Sequence, residues 1–241
     1  MKAEELLKEV RGQNLTQKIE NLRSSLKRIA LASGLLTVIN FFYTERIIKI
    51  VGKSITTAPL VFYSPGEAFI SYLKVAFLSS LFMISPLIFY YLWQGISPFF
   101  IPESKTYTLP VVVSAVILFL TGCTLCYFFV LPFGIQFLIS YGTSQIDPYL
   151  SIENYVSFVF WLTFAFGMVF ELPLVMLLLG RIGVVQTHHL TWGRKYAILI
   201  IAITSAVLTP TPDIFNMSLM MVPLLVLYEI SVILVKLFGK K

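Results

Sequence analysis

Charge is what this sequence has least of. Lys, Arg, Asp and Glu make up 12% of its 241 residues, where an ordinary soluble domain carries about 25%. So few charges cannot cover a soluble domain of this length, which excludes a soluble enzyme. The 57% hydrophobic content excludes a disordered or collagen-like chain. Histidine is scarcer still. His188 and His189 are the only two, and being adjacent they cannot share one helix face. The sequence contains no zinc-protease motif, no phosphate-binding glycine loop and no G-x-S-x-G elbow. Intramembrane proteolysis needs a Ser/His pair or two Asp in the bilayer, and Asp147 and Asp213, the only Asp, fall between apolar runs. No catalytic centre, cofactor or metal site is expected, and the chain does not read as an enzyme. Cys123 and Cys126 lie one helical turn apart among Leu, Phe and Val. Redox or metal chemistry needs a polar, accessible setting, so they read as small packing residues.

What the sequence does have is long apolar runs. Crossing about 30 Å of hydrocarbon takes roughly 20 helical residues, and continuous rather than alternating runs mean helices. Six runs qualify, at about 29–43, 75–94, 109–131, 155–180, 196–209 and 214–237. The third continues to 139, too far for one crossing, and Pro132 with Gly134 is expected to end or bend it. The fifth has 14 residues, about 21 Å of helix, short for a bilayer. The expected fold is an all-α integral membrane protein of six transmembrane helices in a single domain, 1–241.

Basic residues orient it. Seven precede the first run, Lys105 follows the second, Arg181, Arg194 and Lys195 follow the fourth, and Lys236, Lys240 and Lys241 close the chain. Arg46, Lys49, Lys53 and Lys74 lie on the opposite side. The positive-inside rule places both termini in the cytoplasm. The net charge of +6 is thus a topology signal, and no nucleic acid is expected as partner. Residues 1–28 read as an amphipathic cytoplasmic helix, with Leu6, Leu7 and Val10 at helical spacing. No small-residue cleavage site follows the first run, so it reads as an uncleaved anchor rather than a signal peptide. The connection 46–73 is expected to form a cap with short helical pieces, and 145–154 a second structured loop.

Glu171 is the most informative residue. Sixteen uncharged residues, 155–170, precede it in the fourth run. A charge at that depth costs at least about 2.5–3.5 kcal/mol, so the carboxyl must face a hydrated cavity, find a donor or stay protonated. Glu229 lies nearer a helix end and is expected to pair with Lys236 or to snorkel. Glu171 and Glu229 leave open a proton- or ion-coupled small-solute transporter. The absence of an internal repeat and of matched broken helices speaks against it.

The order of short motifs resembles the TatC family, the signal-peptide receptor of the twin-arginine protein translocase, over about residues 15–237. Ser64-Pro65-Gly66-Glu67-Ala68-Phe69, then Leu73-Lys74, Pro86, Tyr90, Trp93 and Pro98 follow the family pattern. So do Gly122 to Tyr127 and Pro132; Tyr149-Leu150-Ser151 with Tyr155; and Phe170-Glu171-Leu172-Pro173. Arg194-Lys195-Tyr196, Thr209 to Asp213, and Pro223 with Leu227-Tyr228-Glu229 complete it. The resemblance implies a cup-shaped bundle in a prokaryotic inner membrane or an organellar membrane. It implies binding of twin-arginine signal peptides at the cytoplasmic face and recruitment of single-span TatA- and TatB-type partners. It further implies homo-oligomers in a receptor complex, and export of folded proteins driven by the proton motive force. A membrane scaffold lacking receptor activity is the third possibility.

The peptide site so implied comprises Glu20, Asn21, Arg23, Glu103 and Ser104, and Glu171 matches the polar residue of the family's concave membrane face. Pro65, Glu67, Pro86, Trp93, Pro98, Tyr127 and Asp213 are the structural positions. At two places the sequence departs from the family. Asn21 and Ser104 occupy the positions of the family's two arginine-binding glutamates, and Glu20 and Glu103 each stand one residue earlier. On a helix such a shift turns the side chain by about 100°.

Overall fold

The structure is a computed structural model. It describes residues 2–52, 60–100, 108–140, 150–208 and 214–239. Side chains are described at residue 20 and from residue 23 onward within those ranges, except at 60, 65, 95–100, 138, 140, 208, 215, 216 and 219. The chain is nearly all helix. In order the elements are α1 (Lys2–Gly52), β1 (Leu60–Val61), α2 (Pro65–Phe100), α3 (Thr108–Leu125), a π-helical turn (Cys126–Val130) and α4 (Leu131–Ser140). There follow β2 (Leu150–Ser151), α5 (Ile152–Phe170), α6 (Leu172–Arg181), α7 (Thr187–Trp192), α8 (Arg194–Leu208) and α9 (Ile214–Phe238).

Five stretches among the described residues are long and apolar enough to cross a membrane: Arg23–Gly52, Gly66–Gln94, Thr108–Phe137, Ile152–Arg181 and Met220–Phe238. The remaining run, the fifth, is α8. Its 15 residues make about 22 Å of helix, below a full crossing, as its short apolar run implies. The chain is a multi-pass membrane protein.

Helix ends differ from the sequence expectation at one connection. No separate helical pieces occupy the described part of 46–73. Instead α1 runs on to Gly52, and α2 already begins at Pro65. The reason is local. Glu45 and Lys49 form an ion pair at 2.7 Å along one face of α1, a spacing that favours helix. Pro65 supplies a ready-set φ at the first helical position, and Ser64 caps the turn. Two short strands also appear that apolar runs do not announce: β1 and β2 pair in parallel, Leu60 with Leu150 and Val61 with Ser151.

Prolines shape the long helices. Pro86 lacks the N–H that would bond the Phe82 carbonyl, and Ser85 Oγ donates to that carbonyl instead, at 2.8 Å. In the third run the chain does not stop at Pro132. The backbone widens into the π-helical turn, in which the Leu131 N–H bonds the Cys126 carbonyl, five residues back. The wider turn accommodates the proline ring one residue later, and helix resumes as α4. Within the fourth run Pro173 separates α5 from α6, with Glu171 at the junction. α6 ends in a Schellman motif. Gly183, at φ +81°, donates to the Gly180 carbonyl and Val184 to that of Leu179, both at 3.1 Å.

α2 packs on α1, α3 and α5, while α9 packs on α6, α7 and α8. Lipid tails are as apolar as leucine, so helices adhere here through close packing and polar pairs. α1 and α2 meet along a polar seam. Thr37 and Ser80 share a hydrogen bond of 2.9 Å, Asn40 Nδ2 donates to Ser79 Oγ at 3.1 Å, and Thr44 is buried beside them. α3 and α5 meet through glycine. A Cβ on Gly167 would stand 2.5 Å from the Phe119 ring, and one on Gly122 would stand 2.8 Å from the Phe166 carbonyl. Cys126 is fully buried in the main core with Val75, Leu131 and Phe166. Cys123 is buried and free, matching its expected packing role.

These contacts make Gly167 sensitive. Gly34 is insensitive, because a Cβ there would meet nothing within 4 Å. Gly167→Ala is expected to lower stability by about 1–3 kcal/mol through overpacking, and Gly34→Ala to leave it unchanged. Thermal unfolding of the two variants in detergent checks this.

Candidate functional site

At the end of the bundle where α1 enters the membrane, Glu20 and Arg23 are exposed on α1. Three residues apart, they lie on one helix face. The same end holds Arg28, whose guanidinium reaches the Tyr91 hydroxyl at 3.4 Å and lies 5.9 Å from the centre of its ring. Trp93 is buried there, and its indole N–H donates to Thr108 Oγ1 at 3.2 Å, joining the end of α2 to the start of α3. The Asn21 side chain, Glu103, Ser104 and Asp213 lie outside the described residues, as do the side chains of Pro65 and Pro98. The structure therefore brings Glu20 and Arg23 together and leaves the second half of the implied peptide site unplaced.

Glu171 is 7% exposed, and its Oε1 has no hydrogen-bond partner among the described residues. Its position at the α5–α6 junction follows from Pro173. The Glu171 N–H turns to the Met168 carbonyl at 3.2 Å, and its own carbonyl accepts from Val175 at 3.0 Å. The helix break thus places a buried carboxyl oxygen without a partner among the described residues. Glu229 pairs with Arg194, at 2.9 Å across α8 and α9, rather than with Lys236. Lys236 is seven residues along α9, about 10 Å of rise away, whereas Arg194 opens the neighbouring helix.

The opposite end of the bundle, where α2 and α5 begin, carries the side-chain hydrogen bonds that span the most sequence among the described residues. Ser64 and Glu67 form most of a capping box. The Glu67 N–H donates to Ser64 Oγ at 3.2 Å, and Glu67 Oε2 accepts from the Tyr63 N–H at 2.7 Å. Ser151 caps α5 in the same way, accepting from the Asn154 N–H at 3.3 Å, and its hydroxyl donates to Glu67 Oε1. One carboxylate thus serves both helix starts, where the helix dipoles favour negative charge. Lys74 pairs with Glu153 across α2 and α5. Tyr127 and Tyr155 donate to the Ile50 and Val51 carbonyls at 2.6 and 2.7 Å, tying down the end of α1. Of these residues, Glu67 and Tyr127 stand among the structural positions drawn from the sequence. Lys74, Ser151 and Tyr155 appear there only as parts of motifs. Glu153 is the member sequence reasoning missed. The Ser-x-x-Glu spacing at 64–67 is the one local signal, whereas the Lys74–Glu153 pair spans 79 positions. No group of three or more metal-ligating side chains occurs among the described residues.

The family model described as Sec-independent protein translocase protein (TatC) matches residues 17–223. Over 231 residues the chain is 36% identical to a Sec-independent protein translocase protein TatC from Desulforapulum autotrophicum, covering 94% of this chain and 85% of that one. A TatC from Aquifex aeolicus is 34% identical over 233 residues, covering 94% and 96%. Among solved structures, a crystal structure of the twin arginine translocase receptor TatC aligns with a TM-score of 0.77 at 34% identity, covering 91% of this chain and 98% of that one. A second, in DDM, aligns at 0.79 and 33%, covering 93% and 100%.

Since Glu67 and Ser151 share one hydrogen bond across 84 positions, Glu67→Gln and Ser151→Ala are expected to be non-additive. A double-mutant cycle from denaturation in micelles should give a coupling of about 0.5–3 kcal/mol. Glu67→Gln combined with Gly167→Ala should be additive.

Proposed function

The chain belongs to the TatC family of Sec-independent protein translocase proteins, and from that premise we propose that it is the signal-peptide receptor of a twin-arginine translocase. It is a component of a protein-transport system in a membrane. Both termini face the cytoplasm, where an arginine pair of the signal peptide meets carboxylates at the basic end of the bundle. Glu20 on α1 is one such carboxylate, and Glu103, between α2 and α3, is the other. Arginine-pair recognition suits carboxylates because a guanidinium offers parallel N–H donors in a fixed fork. Single-span TatA- and TatB-type subunits join in the bilayer, with Glu171 as the polar contact for one of their helices. Copies of this chain assemble with them, and the proton motive force drives export of folded cargo.

The observation that carries this reading is the match to the solved twin arginine translocase receptors along nearly the whole chain. The buried carboxyl of Glu171 supports the partner contact. It has an oxygen free of protein donors among the described residues, and an intramembrane carboxyl is functional by default.

Photo-cross-linking tests the receptor role directly. Probes placed next to Glu20 and Glu103 are expected to capture a twin-arginine signal peptide in membranes containing the partner subunits, and to lose it when the arginine pair becomes Lys-Lys. Capture that ignores the arginines would sink the assignment. Glu103→Ala is expected to weaken peptide binding about tenfold or more, as loss of a charge-assisted pair does. Glu171→Ala should leave peptide affinity closer to wild type. Equal affinities for wild type and Glu103→Ala would remove Glu103 from the site.

A further inference from the structure

Between α2 and α5, on the outer side of the Phe82–Phe160 ring pair, lies a half-open groove of about 380 Å³. Its polar and apolar parts are segregated. Lys74 and Ser157 line it, with Lys74 Nζ 3.5 Å from Ser157 Oγ, and Glu153 is ion-paired to the same ammonium. The rest of the lining is apolar and mostly aromatic, including Phe77, Leu81, Trp161 and Phe164. α2 and α5 both start at the same end of the bundle, because β1 and β2, which lead into them, are parallel. Positions 74 and 157 are therefore the shallow end of the groove, and 81 and 164 its deep end. Seven residues of rise separate them on each helix, about 10 Å.

A slot with charges near the membrane surface and an aromatic floor running inward has the form of a lipid's head and tail. The charges say which head. Lys74 and Glu153 stand side by side and partly exposed, so the polar end presents one positive and one negative group. An anionic head group would be drawn to Lys74 but repelled by Glu153. A choline head group would offer Glu153 no N–H donor. A primary ammonium next to a phosphate matches both. The ammonium of Lys74 has three donors, and a carboxylate has lone pairs to spare beyond the one Lys74 uses.

We propose that this groove binds a zwitterionic phospholipid with a primary ammonium head group. Its phosphate lies against Lys74 and Ser157, its ammonium against Glu153, and one acyl chain along Phe77, Leu81, Trp161 and Phe164. The bound lipid fills the outer seam between two helices that are ion-paired near their starts and meet again deeper, at Phe82 and Phe160.

Native mass spectrometry of the full chain, titrated with phosphatidylethanolamine, phosphatidylcholine and phosphatidylglycerol of identical acyl chains, tests the proposal. Phosphatidylethanolamine is expected to half-saturate one site at about tenfold lower concentration than either other lipid, the worth of one charge-assisted hydrogen bond. Leu81→Trp, which fills the deep end and leaves the charges alone, should remove the adduct. Glu153→Gln should erase the preference over phosphatidylcholine. If Leu81→Trp does not fold, Trp161→Ala serves instead, since that ring is 69% exposed and only the bound chain should miss it. Equal retention of the three lipids overturns the proposal, as does an adduct indifferent to the groove variants. Preference for phosphatidylglycerol overturns the assigned head group, and a protein dimer in place of a lipid adduct overturns the assigned occupant.

Discussion

In a bilayer the hydrophobic effect does not press one helix against another, because lipid tails receive an apolar face as readily as a neighbouring helix does. Whatever holds such a chain in one shape must be close contact or polar pairing. Here both are present and spatially divided. Glycines let α3 and α5 approach to within ring-to-backbone contact. Hydroxyls and an amide stitch α1 to α2 within the apolar layer. At the end where α2 and α5 start, carboxylates, tyrosines and a two-residue strand pair close the bundle. Without these the helices would remain helices, but nothing would choose their neighbours.

The same solvent explains the treatment of proline. A carbonyl freed in hydrocarbon has no water to turn to, so each bend needs a local remedy. Ser85 supplies one at Pro86 and the π-helical turn another before Pro132. At Pro173 the remedy coincides with the deepest carboxyl in the chain. A helix break and a buried acceptor without a partner among the described residues thus coincide at Glu171.

How much of this is legible in the sequence depends on range. Apolar length is a local property, so the spans can be read from runs, and the shortness of α8 from its 14-residue stretch. Glu171 stands out because insertion cost depends only on depth. The capping of α2 is visible in four consecutive residues, Ser64 to Glu67. Pairings across many positions leave no such trace. Lys74 with Glu153, Tyr155 with Val51 and Arg194 with Glu229 are each ordinary residues until the fold sets them face to face. The end of α1 escapes for the same reason. Arg46 and Lys49 look like a loop to a hydropathy count, yet the helix continues through them, held from outside by Tyr127 and Tyr155. The order of motifs carries the family where single pieces cannot, because spacing over the whole chain samples long-range constraints that no one stretch contains.

The parallel pairing of β1 with β2 has a consequence of parity. Two segments that touch at one membrane surface must be separated by an even number of crossings. Between them lie α2, which leads away, and the run of α3, the π-helical turn and α4. That interrupted run must therefore count as one complete return passage, however its backbone is broken along the way. Two paired residues in each strand thus fix the parity of the crossings between them, and the apolar runs fix the count at two.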